Sequence, residues 1–111
     1  MVTGGWVTQA DRSRWQRKAA AELAVILDAH PGLPVIAWTV TASGAGLSGQ
    51  VLTPAAGRRG LFAQWRQALG LDEVTETLSG NGMPVHLLAR GVRGDVTIRV
   101  TATIFDGQDS W

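Results

Sequence analysis

Polar and apolar positions alternate most strictly between residues 95 and 105. Val96, Ile98, Val100, Ala102 and Ile104 take one face, while Thr97, Arg99, Thr101, Thr103 and Phe105 take the other. A period of two with one apolar face predicts a strand whose sheet is covered on one side and open to water on the other. A second alternating run covers residues 33–42, with Ile36, Trp38 and Val40 on one side and Ala37, Thr39 and Thr41 on the other. Further strands are predicted over 47–52, about 73–79 and 84–90. Ser43-Gly44-Ala45-Gly46 predicts a hairpin turn between the first two strands, Asn81-Gly82 a tight one between the next two, and Arg90 to Gly94 a looser third.

Two segments follow helical spacing instead. Trp15, Ala19, Leu23, Ile26, Leu27 and His30 recur behind Thr8, an N-cap residue with Asp11 three positions on. They predict a helix over 9–29 that Pro31-Gly32 ends. Leu61, Phe62, Trp65, Ala68 and Leu69 predict a second helix, with Thr53-Pro54 as N-cap and first residue and Gly70 as a left-handed stop. Gly57 and Gly60 each weaken that helix by about 1 kcal/mol relative to Ala, so its first turn is expected to be irregular. The order is α-β-β-α-β-β-β. The expectation is one α+β domain over residues 1–111, its two helices packed on one face of a five-stranded, mainly antiparallel sheet, with 1–7 and 107–111 as tails. Trp15, Trp38 and Trp65 are the expected aromatic anchors, Trp38 largely buried between both helices.

Composition narrows the chemistry. With 111 residues, ten basic and nine acidic side chains, the net charge is +1, so no global field selects a polyanion. Cysteine is absent, which removes disulfides, thiolate nucleophiles and sulfur-bound metals. The amino terminus lacks the basic start and apolar core of an export signal, and the longest strongly apolar stretch, residues 23–27, falls far short of the ~20 needed to span a bilayer. A cytoplasmic protein without membrane contact is expected.

Each short motif has a structural explanation that outweighs a chemical one. Gly44, Gly46 and Gly49 fit G-x-G-x-x-G but lead into a strand, whereas a dinucleotide site needs them to open a helix. Arg93-Gly94-Asp95 reads as a turn with flanking charges. His30 falls at a helix end, and His86 lies in a strand on the face of Leu88 and Arg90; neither has a nucleophile placed for it. Asp72, Glu73 and Glu76 lack calcium-loop spacing. Arg12, Arg14, Arg17 and Lys18 crowd two helical turns around Trp15, a composition compatible with nucleic-acid contact or with an ordinary wet face. No catalytic residue, cofactor or metal ligand is predicted, and an enzyme is not expected.

The open face of the sheet is the expected working surface. Aligning the strands by alternation places Thr39, Thr41, Gln50, His86, Arg90, Thr97, Arg99, Thr101 and Thr103 on it, with Ser48, Thr75 and Thr77 and without a carboxylate. The same register turns Glu76 inward with Val74 and Leu78, which marks that strand as an edge or as slipped. Trp111, behind Asp106 and Asp109, is a further candidate contact in the tail. A protein-interaction or self-assembly module, such as a homodimer, is the expected role; nucleic-acid binding is the alternative, and a small-ligand pocket between helices and sheet a weaker one.

Three strings carry a resemblance. Leu33-Pro34-Val35-Ile36-Ala37-Trp38-Thr39-Val40, Trp65-Arg66-Gln67-Ala68-Leu69-Gly70-Leu71 and Thr101-Ala102-Thr103-Ile104-Phe105-Asp106 resemble small hypothetical proteins of high-GC actinobacteria. The resemblance spans about residues 15 to 106 and implies one compact cytoplasmic domain. It brings no catalytic motif and no functional residue with it.

Overall fold

Thr8 starts the first helix, α1 (Gln9–Ala29), in a computed structural model that describes residues 7–41, 44–52, 57–78 and 84–105. The Thr8 hydroxyl accepts the Asp11 backbone N–H at 3.0 Å, and the Asp11 carboxylate accepts the Thr8 N–H at 3.1 Å. This reciprocal box satisfies two donors that the helix end would otherwise orphan. Ala19 and Ile26 are fully buried and Trp15 and Leu23 half-buried, but Leu27 is exposed. Leu27 sits about 100° around the helix from Ile26, so it falls off the packed stripe.

The second helix, α2 (Arg58–Leu69), buries Phe62, Trp65 and Leu69. It starts late, behind Gly57 in a left-handed conformation; Thr53 and Pro54 lie outside the described residues. Gly70 ends it as expected. With φ +64° it turns the chain so that its own N–H reaches Gln67 O at 3.2 Å and the Leu71 N–H reaches Arg66 O at 3.0 Å.

The five strands are β1 (Ala37–Val40), β2 (Gly46–Val51), β3 (Glu73–Leu78), β4 (Val85–Arg93) and β5 (Val96–Ile104). They form one sheet in the order β1-β2-β5-β4-β3. Three neighbouring pairs are antiparallel and β2–β5 is parallel. The fold is therefore α+β with a mixed, mostly antiparallel sheet, as its pattern predicts. After β2 the chain crosses through α2 to the far edge and returns by two hairpins, which makes β2 and β5 run in the same direction.

Among the strands, β1 and β4 differ most from the sequence pattern. The first strand is only four residues long, and ahead of it the Pro34 carbonyl accepts the Trp65 indole N–H at 2.8 Å. The β4 strand continues to Arg93, so the expected loose turn is a two-residue one at Gly94-Asp95, with Gly94 at φ +59°. The Asn81-Gly82 turn lies outside the described residues.

The core lies between helices and sheet, where Leu47, Val51, Val85, Leu87, Ala89 and the inward residues of β5 are buried. Gly49 is central to it. A β-carbon there would come within 2.8 Å of Ile36 Cδ1 and 3.1 Å of two atoms of the Trp38 ring. The Trp38 ring thus lies over bare backbone and meets Trp65 edge-on, with ring centroids 5.5 Å apart. Trp38 is half-buried, less than expected, because β1 is an edge strand; its indole N–H is buried without an acceptor among the described residues.

The helix layer stops short of β3. Helix α2 packs on β5 and β2, and every residue of β3 is exposed. Its register is not slipped: Glu76 faces Leu87 of β4 on the helix side and pairs with Arg59 of α2 at 3.3 Å. Among the described residues no helix is long and apolar enough to cross a membrane.

Candidate interaction face

Residues opposite each other in a ladder share a face, so the registers define the open side row by row. The central row crosses all five strands as Thr39, Ser48, Arg99, Arg90 and Glu73. On one side of it lies Ala37-Gln50-Thr101-Leu88-Thr75, followed by Thr103-His86-Thr77. On its other side are Thr97 and Val92, with Thr41 beyond β2, where its backbone N–H donates to Gly46 O at 3.0 Å. Thr39, Thr41, Gln50, His86, Arg90, Thr97, Arg99, Thr101 and Thr103 are thus gathered on one surface. Trp111 lies outside the described residues.

One correction concerns charge. The face does carry a carboxylate, Glu73, which has the same parity as Thr75 and Thr77 and pairs with Arg90 at 3.0 Å. The signal was present in the alternation, at the first residue of the strand. Arg90 also stands directly opposite Arg99. Like charges so placed oppose one another by a few tenths of a kcal/mol, up to about 1, and Glu73 relieves only Arg90. Arg99 is exposed and forms no ion pair among the described residues.

Arg99 borders a depression of about 410 Å³ whose polar groups come from Thr41, Ser48, Thr97 and Asp95. Asp95 is engaged elsewhere. Lys18 of α1 donates to it at 2.7 Å, and that hydrogen bond and charge hold its carboxyl below the ordinary value. The far end of the face is fixed by a residue that alternation does not reveal. Arg58, at the start of α2, donates to Thr103 O at 2.9 Å and to Leu52 O, and its guanidinium lies 5.9 Å from the Phe105 ring centre. At the same end His86 Nδ1 approaches the Thr103 hydroxyl at 3.3 Å.

The competing motifs are absorbed by the fold. In the glycine-rich string, Gly44 takes a positive φ in the hairpin, Gly46 lies against the Thr41 side chain and Gly49 lies beneath Trp38. Arg93 and Asp95 are tied to Glu22 and Lys18 at 2.8 and 2.7 Å, pinning the β4–β5 turn to α1. That leaves two members of the basic run, Arg12 and Arg17, exposed without an ion pair among the described residues, since Arg14 pairs with Asp11. Glu73 and Glu76 point to opposite faces of β3, which disperses the acidic cluster. His30 caps the end of α1 and meets Trp65 edge-on at 6.5 Å.

A half-open pocket lies at the connection between α1 and β1, lined by His30, Leu33, Pro34 and Ile36 together with Trp38 and Trp65. At about 140 Å³ it is near the size that holds a benzene-like molecule and well below ordinary ligand pockets. No protein-family model matches this chain, and no curated protein matches it.

Proposed function

We propose that this domain is a non-catalytic protein-interaction module that binds through its open sheet face, with Arg99 receiving a carboxylate from the partner. The observation that carries this reading is Arg99, without an ion pair among the described residues and set beside Ser48, Thr97 and Thr101, while the nearby carboxylates Glu73 and Asp95 are held by Arg90 and Lys18. Guanidinium binds carboxylate through two parallel hydrogen bonds, and the Thr and Ser hydroxyls around it donate or accept as a partner requires. A second copy of the same face supplies only arginines and carboxylates that are already engaged. Burying Arg99 against it leaves an unpaired charge, so a different protein is the better fit.

The test compares wild type with Arg99→Glu as bait in an extract of the native host, alongside a shift assay with single-stranded and duplex oligonucleotides at two salt concentrations. A protein retained by wild type and lost on Arg99→Glu supports the reading, provided the variant remains folded. Micromolar oligonucleotide binding that weakens with salt and disappears in the variant, with no Arg99-dependent protein, establishes the nucleic-acid alternative instead.

A further inference from the structure

The two edges of the sheet are unequal. β1 offers four residues behind Pro34, a short edge blunted by a residue that cannot donate. β3 offers six, all exposed, and on the helix side it also leaves Val74 and Leu78 uncovered at 44% and 60% exposure. Beside them runs a groove of about 210 Å³ lined by Phe62, Ala63 and Leu87, with Arg59 and Arg66 at its border. This apolar strip has no cover within the described residues, and an inward-facing Glu76 ordinarily guards such an edge against pairing.

We infer that β3 is the seam of a two-fold dimer, and that its occupant is the β3 of a second copy running antiparallel. The strand's own pattern selects the register. Residues facing each other must share a face, so the axis passes through a residue rather than between two. An axis at Thr75 sets Val74 against Glu76, and one at Thr77 sets Glu76 against Leu78. Only the axis at Glu76 joins Val74 of one copy to Leu78 of the other, twice, and Thr75 to Thr77 on the open side. The two Glu76 carboxylates then meet at the axis, each with its own Arg59 at 3.3 Å. Each carboxylate keeps its own Arg59, so two acids and two bases meet at the axis and the seam closes over no net charge.

The dimer joins two five-stranded sheets into one of ten strands. Its axis is perpendicular to the sheet, so both helix layers lie on one side and both open faces on the other. This inference rests on the β3 edge and not on the open face, and either can fail alone.

Because the chain has no cysteine, single cysteines report the register directly. Facing residues of an antiparallel pair lie within disulfide reach. Glu76→Cys should cross-link to itself under mild oxidation. Val74→Cys and Leu78→Cys should each stay uncross-linked alone and join when mixed. Sedimentation over roughly 10 to 500 µM should show wild type dimerising with concentration, and Leu78→Lys should weaken the dimer by about tenfold or more while circular dichroism shows it folded. A wild-type protein that stays monomeric throughout overturns the inference, as does a dimer that cross-links through Ala37→Cys on β1 and not through Glu76→Cys.

Discussion

Replacing Gly49 with Val tests the packing of the sheet on its edge tryptophan. By strand propensity alone the change is favourable, since Val suits an inner strand and Gly weakens one, an effect of up to about 1 kcal/mol. The structure predicts the opposite sign. The first added carbon meets Ile36 Cδ1 at 2.8 Å, a terminal methyl that can rotate away, and two Trp38 ring atoms at 3.1 Å, which cannot. That ring is planar and held edge-on against buried Trp65. Valine then adds two methyls beyond the first contact. Overpacking of this kind costs about 1 to 3 kcal/mol, which for a domain of this size is a fall in Tm of about 4 to 12 °C. Thermal unfolding followed by circular dichroism measures it. The double variant with Trp38→Ala should recover at least about 1 kcal/mol relative to the sum of the single changes, because the new methyls fill the vacated space. Trp38→Ala alone should cost less than the roughly 3 to 5 kcal/mol of a fully buried ring, because Trp38 is half-buried. If Gly49→Val melts at or above the wild-type temperature, or the two changes simply add, Trp38 does not lie over Gly49 and the packing argument fails.

Three further outcomes are expected. Trp65→Phe removes the hydrogen bond to Pro34 O and leaves that carbonyl without its partner, so urea unfolding should show a loss of about 1 to 3 kcal/mol; an unchanged midpoint would place no weight on this bond. Arg99→Glu relieves the like-charge contact with Arg90, so the isolated domain should be unchanged or up to about 1 kcal/mol more stable, and a clear loss of stability would show that Arg99 serves the fold. Asp95 should titrate below 3.8 because of the hydrogen bond and charge of Lys18. Since the folded state depresses this pKa, the stabilisation is present above the unfolded value and is lost as pH falls through the lowered one. In Lys18→Met, carboxyl NMR should show Asp95 returning toward 3.8, and an unmoved titration would refute the contact.

Alternation carried the fold a long way. The parity of β5 is observed residue for residue, α1 begins at its Thr8–Asp11 box, and Gly70 stops α2. Boundaries were less legible where tertiary partners decide them. Nothing local reveals that the Pro34 carbonyl is claimed by Trp65, 31 residues on. The extension of β4 to Arg93 likewise depends on Glu22 of α1, which gives that arginine a partner on the helix side. The half-burial of Trp38 has a related cause: period two assigns a face but does not reveal that the strand is an edge.

The same distinction governs the candidate face. Parity lists its members, and the registers place each of them on one surface, but function there depends on which members adjoin. Adjacency comes from strand order, and the order β1-β2-β5-β4-β3 requires a parallel pairing that no local pattern encodes. That pairing sets Ser48 beside Arg99, and the two hairpins set Arg90 and then Glu73 on its other side. Read as a list, the face offers two arginines and suits a polyanion. Read as a row, it offers one, because Glu73 has taken the charge of Arg90 and left Arg99 among hydroxyls. A guanidinium without an ion pair among the described residues, set among Ser and Thr, would suit one carboxylate on a folded partner better than a line of phosphates, which would need a line of cations to meet it.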